Sequence, residues 1–296
     1  MQTHDVTIVG AGPAGIAASL QLRRFGVDFI CLERGEVGGL LRNANLVENY
    51  PGFPQGISGP SLVRLMREHL RSLDIQPINE SVESITYQDG LFYLVTDAAE
   101  ARSRYLVIAS GTCPRKFTNI DIPAALSVRV LYDVYPLANV ANQQIVIVGA
   151  GDAAFDYALN LTPRNQVTII NRGQRTRCLP LLWQRVSCQP RIAYLDQSQI
   201  KKLEETSMGR LGLVFASPTG EHRVEVDYLI GALGRDPQVS FLPVEFVAAA
   251  GNLEDCGLLH WIGDVKNGME RQTAIAVGDG LRAAMKIYTR LREARR

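Results

Sequence analysis

Gly10-Ala11-Gly12-Pro13-Ala14-Gly15 is the first stretch in which residue types and spacing imply chemistry. Glycines in this pattern let a backbone turn tightly (Gly10), approach a pyrophosphate (Gly12) and seat a helix on a strand (Gly15), and an acid farther on accepts hydrogen bonds from a ribose diol. Glu33 stands where that acid is required. A second cluster, Gly149-Ala150-Gly151-Asp152-Ala153-Ala154, repeats the arrangement and ends on Asn171, followed by Arg172, Arg175 and Arg177. An acid at that point repels a 2′-phosphate, whereas arginines clamp one bidentately, so the second cradle favours NADP over NAD. Sulfur supplies a third candidate. Cys178 and Cys188 lie ten positions apart in a stretch, Tyr157 to Leu195, that holds six arginines and neither acid nor lysine. Nearby arginines lower a thiol pKa and favour thiolate, and a solvated basic face or a dock for an acidic partner are the other readings of the same stretch.

Strand–turn–helix–strand units must position both glycine clusters. Asp5 to Val9 reads as a strand, Ile16 to Phe25 as a helix and Asp28 to Leu32 as the next strand. Gln144 to Val148, Phe155 to Leu161 and Gln166 to Ile170 repeat the order. From Gly10 to Glu33 is twenty-three positions and from Gly149 to Asn171 twenty-two, so the unit is duplicated and the expected class is α/β with two Rossmann-like dinucleotide-binding domains. Leu91 to Thr96 and Tyr105 to Ala109 read as further strands, and Ser61 to Leu73 as an amphipathic helix. For the cysteine pair, geometry sets a condition. A continuous helix over Pro180 to Ser187 would hold the two beyond the ~7 Å Cα separation a disulfide tolerates, so a turn between them is required.

Composition narrows the classes. At 296 residues, 46% hydrophobic and 21% charged with a net charge of +1, the chain matches an ordinary globular protein of two domains and gives no whole-chain drive toward nucleic acid or membrane. It carries no apolar run of membrane-spanning length and no basic-then-apolar leader before Asp5, which reads as cytoplasmic. Five scattered cysteines make no disulfide scaffold, and neither they nor the four histidines show metal-ligand spacing.

The order of these parts, with Glu48-Asn49-Tyr50-Pro51-Gly52-Phe53-Pro54, Ala109-Ser110-Gly111, Ala232-Leu233-Gly234, Ile262-Gly263-Asp264 and Arg271-Gln272-Thr273, resembles the thioredoxin-reductase-like flavoproteins. The resemblance implies FAD in the first cradle, contacted by Gly10, Gly12, Ala14, Gly15, Glu33, Gly39, Asn49, Gly263, Asp264, Arg271 and Gln272. It implies a second dinucleotide, NADPH or another FAD, at Gly149, Gly151, Asp152, Ala153, Arg172 and Arg177. It also implies a discontinuous FAD domain, residues 1–115 and 243–296, with residues 116–242 inserted as the second domain, and a homodimer.

The sequence departs from that family where its chemistry is concentrated. The redox CxxC that precedes the second glycine motif falls on Tyr132-Asp133-Val134-Tyr135, which holds no sulfur and cannot carry out thiol–disulfide exchange. Leu40 replaces a glutamine after Gly38-Gly39, and the phosphate clamp His-Arg-Arg has become Asn171-Arg172-Gly173. The favoured expectation is a disulfide oxidoreductase in which flavin exchanges electrons with a relocated Cys178/Cys188 pair, serving a small redox protein or disulfide substrate. The runner-up is a ferredoxin or flavodoxin reductase that uses NADPH, has no redox disulfide and docks an acidic electron carrier. Asp156-Tyr157-Ala158-Leu159 resembles that group. A non-catalytic flavin redox sensor is the third reading.

Overall fold

Val6, Thr7, Ile8 and Val9 are β-branched at consecutive positions and all buried, which suits a strand covered on both faces. The computed structural model, which describes residues 2–294, builds this run into β1 (Thr3–Val9), followed by α1 (Pro13–Arg24) and β2 (Phe29–Leu32). Gly12 caps the start of α1 with Pro13 in the first turn, and Gly26, at φ 66°, ends it by donating to Arg23 O at 3.0 Å. Helix α2 (Gly59–Ser72) starts at Ser58, whose hydroxyl accepts from the Ser61 amide at 3.3 Å. Three antiparallel strands follow, β3 (Val82–Gln88), β4 (Leu91–Thr96) and β5 (Glu100–Ile108), and then the short β6 (Thr112–Pro114).

After β6 the chain forms β7 (Val130–Leu131), β8 (Gln144–Val148), α3 (Asp152–Leu161), β9 (Gln166–Ile170), α4 (Pro180–Ser187) and β10 (Ile192–Leu195). Then come the hairpin strands β11 (Gln199–Glu205), β12 (Leu211–Ser217) and β13 (Gly220–Val226), and β14 (Tyr228–Gly231). The last elements are β15 (Arg235–Pro237), α5 (Val244–Asp255), β16 (Leu259–Trp261) and α6 (Thr273–Ala294).

The chain divides into two units. One holds residues up to Arg42, Val47–Cys113 and the chain from Asp236 onward, and the other holds Asn43–Leu46 and Pro114–Arg235. The first unit therefore resumes at Asp236, earlier than residue 243, and the separate piece Asn43–Leu46 has no counterpart in the sequence reading.

In the first unit the sheet order is β2-β1-β5-β4-β3, with β16 also paired to β5. Strands β2, β1, β5 and β16 run parallel, while β4 pairs antiparallel with the first half of β5. One face carries α1 and α6 through Ala14, Ala18, Leu22, Ala283, Ala284 and Ile287. The other face buries Ile85, Phe92, Leu94, Ile108 and Leu259 against Phe246 and Leu253 of α5. The second unit is a parallel sheet, β10-β9-β8-β14-β7. Phe155, Ala158 and Leu161 of α3 cover one face, and the antiparallel β11-β12-β13 layer covers the other through Ile200, Leu203, Leu211 and Leu213. Among the described residues no helix is long and apolar enough to cross a membrane.

Candidate functional site

The first cradle lies where β1 passes into α1. Gly10, at φ 105°, donates to Leu32 O at 2.7 Å, and a Cβ on it would strike the Ala109 carbonyl. A Cβ on Gly15 would strike the Gly10 carbonyl, so only glycine lets α1 approach the turn this closely. At Gly12 the direction a Cβ would take is open, and no side chain caps the start of the helix. An open, uncapped helix start behind a glycine turn fits a pyrophosphate, and on that ground the residues present fit FAD. Glu33 closes the unit: its carboxylate accepts from Ala11 N–H at 2.6 Å and Gly35 N–H at 2.9 Å and stays partly exposed. Gly39, at φ 55°, seats against Gly12, and Gly38 donates to Ala11 O at 2.8 Å.

The separated motifs reach the same unit. Gly263 (φ 71°) turns beside Ala14, whose methyl a Cβ there would meet at 2.8 Å, and Asp264 follows within a short 3-10 turn. Asn49 donates to the Gln272 side chain at 2.7 Å, so two of the residues named for FAD are bonded to each other at the start of α6. Gln272 and Arg271 precede that helix rather than lie in it; the Gln272 carbonyl accepts from Ala276 N–H at 2.9 Å.

Sequence reasoning missed two residues here. Asp279 holds the Gly263 amide at 3.2 Å and Asn267 at 2.7 Å, and a Cβ on Gly280 would strike the Ala14 carbonyl. The signal was the Gly278-Asp279-Gly280 triplet inside a helical stretch, where glycine marks close helix–helix approach.

The second cradle is built alike at its start. Gly149 donates to Ile170 O at 3.0 Å, and a Cβ on it would meet Ala232 O at 2.5 Å. Gly151 caps α3 with no side-chain bond and open space beside it. Asp152 and Ala153 are exposed in the first turn, and Asp152 accepts from Leu179 N–H at 2.7 Å. Asn171 is buried: it donates to Arg175 O at 3.1 Å and Tyr194 Oη at 2.8 Å and accepts from Gly173 N–H at 2.9 Å. Its amide shapes the loop that leaves Arg172, Arg175 and Arg177 exposed. Beside that loop lies a cleft of ≈ 600 Å³ lined by Gln174, Arg175, Thr176, Trp183, Tyr194 and Asp196.

The sulfur expectation needs correction. Pro180–Ser187 is one continuous helix, the arrangement that keeps Cys178 and Cys188 apart, and all five cysteines are free. Activation by arginine is not found either: burial, aided by Asp152, pushes the Cys178 thiol up despite a hydrogen bond from Thr176. Cys178 and Cys188 are therefore not a redox disulfide in this structure. The place of the missing CxxC is taken by packing groups. The Tyr132 hydroxyl accepts from Phe117 N–H at 3.2 Å, Asp133 pairs with Arg235 at 2.9 Å, and Val134 is buried. Among the described residues no cluster of His, Cys, Asp or Glu is placed to hold a metal ion.

Comparison with known proteins agrees with this geometry. Residues 4–255 match the family model for pyridine nucleotide-disulphide oxidoreductases. Thioredoxin reductase of Mycolicibacterium smegmatis is 28% identical, over 95% of this chain and 94% of its own. The Bacillus subtilis thioredoxin reductase is also 28% identical, over 96% and 93%. The crystal structure of the Lactococcus lactis thioredoxin reductase is 29% identical with a TM-score of 0.84, covering 98% of this chain and 99% of the other. By its motifs, its two Rossmann-like units and these likenesses, the chain belongs to the pyridine nucleotide-disulphide oxidoreductase family, as a thioredoxin-reductase-like, flavin-dependent oxidoreductase.

Proposed function

We propose that this enzyme carries electrons between a reduced pyridine nucleotide at the second cradle and an outside acceptor, with FAD at the first cradle as its single redox centre. The state of the sulfurs supports this reading. Tyr132–Tyr135 offers no thiol, and α4 stands between the free cysteines Cys178 and Cys188. An acceptor must then bring its own redox group, whether a disulfide or the centre of a small redox protein. The arginine-rich stretch 157–195 suits an acidic one. The names of the relatives describe what those proteins reduce; the thiol-free 132–135 segment argues against carrying thioredoxin itself over to this chain.

FAD, when bound, supplies the exchange between two-electron and one-electron chemistry. The chain's own residues do the rest. The open start of α1 takes the pyrophosphate, Glu33 faces the ribose, and the Asn49–Gln272 pair fixes the start of α6, whose positive end favours the charge a reduced flavin acquires. At the second cradle Arg172 and Arg177, with no carboxylate at 171, favour NADPH. The assembly proposed is a homodimer.

The test is anaerobic mixing of the FAD-loaded protein with NADPH. Rapid bleaching of the flavin band near ~450 nm is expected. Colour that persists with NADPH yet disappears with dithionite overturns the NADPH assignment and leaves the second unit to another flavin or to the docking of a carrier.

A further inference from the structure

The chain leaves β16 at the end of the sheet where β1 hands over to α1. Ile262 donates to Ile108 O at 3.0 Å, and Gly263 then turns at φ 71°, where a Cβ would meet the Ala14 methyl at 2.8 Å. Ligands of parallel α/β sheets bind at this carboxyl end of the strands. The Lys266 and Asn267 amides, at 3.0 and 3.2 Å, close the turn on the Gly263 carbonyl. One oxygen of the Asp279 carboxylate, in the second turn of α6, ties both ends of the segment: it accepts from Gly263 N–H at 3.2 Å and from the Asn267 side-chain amide at 2.7 Å.

Asp279 is itself held. A Cβ on its neighbour Gly280 would strike the Ala14 carbonyl and meet the Ala18 nitrogen at 2.9 Å, so α6 lies directly on α1 at this point. Ala14 thus faces Gly263 of the turn and Gly280 of α6, and the carboxylate spans the two. All of these residues belong to the first unit.

We propose that Asp279 is a positioning residue for the first cradle: by holding the 263–267 segment beside α1 it sets where Asp264 stands at the FAD site. The inference rests on the reading of that cradle as the FAD site. Asp279 acts through the turn and does not touch the cofactor. The Gly263 amide is spent on Asp279, so Gly263 serves the cradle by its shape, a positive φ and no side chain beside Ala14, rather than as a donor to FAD. A carboxylate suits this place because two donors converge on one oxygen, and an ionised acceptor holds such bonds about twice as strongly as a neutral one.

Two readings test this: hydrogen exchange at the Gly263 amide in FAD-free protein, and FAD release from the loaded protein followed by flavin fluorescence. Asp279→Ala should lose roughly tenfold in Gly263 protection and release FAD roughly tenfold faster. Asp279→Asn, which keeps an accepting oxygen without its charge, should restore part of both and leave losses of about threefold; it carries the test if the alanine variant does not fold. Ala283→Gly is the control for packing alone: it loosens the α1–α6 face one turn beyond Asp279 and should lower the unfolding midpoint while FAD release stays within about twofold. Gly263 protection unchanged in Asp279→Ala, or in Asp279→Asn where only that variant folds, overturns the clamp. Lost protection with unaltered FAD release overturns its link to the cofactor. Release from Ala283→Gly as fast as from the Asp279 variants overturns positioning in favour of packing. A protein that takes up no FAD overturns the reading of the first cradle, while exchange at Gly263 still decides the clamp.

Discussion

The two glycine cradles share a backbone scheme and differ at their ends. In both, the first glycine donates to the last residue of the neighbouring strand, Gly10 to Leu32 at 2.7 Å and Gly149 to Ile170 at 3.0 Å, with a carbonyl, Ala109 or Ala232, close behind. In both, the residue closing the unit donates its amide to the next extended segment, Glu33 to Ile78 at 2.9 Å and Asn171 to Leu195 at 2.8 Å. The side chains then diverge. Glu33 stays partly exposed with a carboxylate that can meet a ribose, whereas buried Asn171 spends its amide on shaping an arginine loop. Helix contact differs too, since Ala154 fills the position that Gly15 holds in the first cradle. One backbone frame is thus finished in two ways by a handful of side chains.

Exchanging those side chains tests the contrast, and the largest effect belongs to the helix contact. Gly15→Ala pushes a methyl into the Gly10 carbonyl and should cost about 3 kcal/mol, read as a lower unfolding midpoint and FAD-poor protein. The reciprocal Ala154→Gly should cost only about 1 kcal/mol, the helix penalty of glycine; equal costs would show that the two cradles are packed alike. Next comes Glu33→Ala, which strands the Ala11 and Gly35 amides. Titration of the apoprotein with FAD should show binding weakened by about 2 kcal/mol, roughly thirtyfold, with NADPH binding unaltered. At the second cradle, Arg172→Gln with Arg177→Gln removes two exposed guanidiniums and leaves the Asn171 hydrogen bonds in place. The KM for NADPH should rise roughly tenfold while that for NADH changes little, and a parallel rise for both would remove the 2′-phosphate from the account. The smallest effect is expected for Cys178→Ser with Cys188→Ser: turnover with a small-molecule acceptor should stay within about twofold, since α4 separates the two free thiols.

How much of this was legible follows from how local each signal is. Both strand–turn–helix units could be read because Gly10, Gly12, Gly15, Gly149 and Gly151 act on their immediate neighbours. The β11-β12-β13 layer was not read: a register shift between Ile200 and Lys202 breaks the two-residue period, and β13 buries only Val226. Helix α5 was missed although Phe246, Ala250 and Leu253 recur at helical spacing, because its outward face, with Val244 and Val247 exposed, is apolar as well. At the site, the separated motifs named Asn49 and Gln272 individually, but their bond to each other spans the chain and leaves no trace in spacing. The cysteine pair was misread for the opposite reason. Proximity in sequence suggested proximity in space, and a helix intervened.

The central claim is that FAD is the only redox centre this chain carries. It is tested most directly by anaerobic reductive titration of the FAD-loaded protein with dithionite, counting electrons per flavin. The account predicts full reduction with one two-electron equivalent per FAD, unchanged in the Cys178→Ser, Cys188→Ser variant. Uptake of a second equivalent by the parent chain, lost in that variant, would reveal a working dithiol and contradict it.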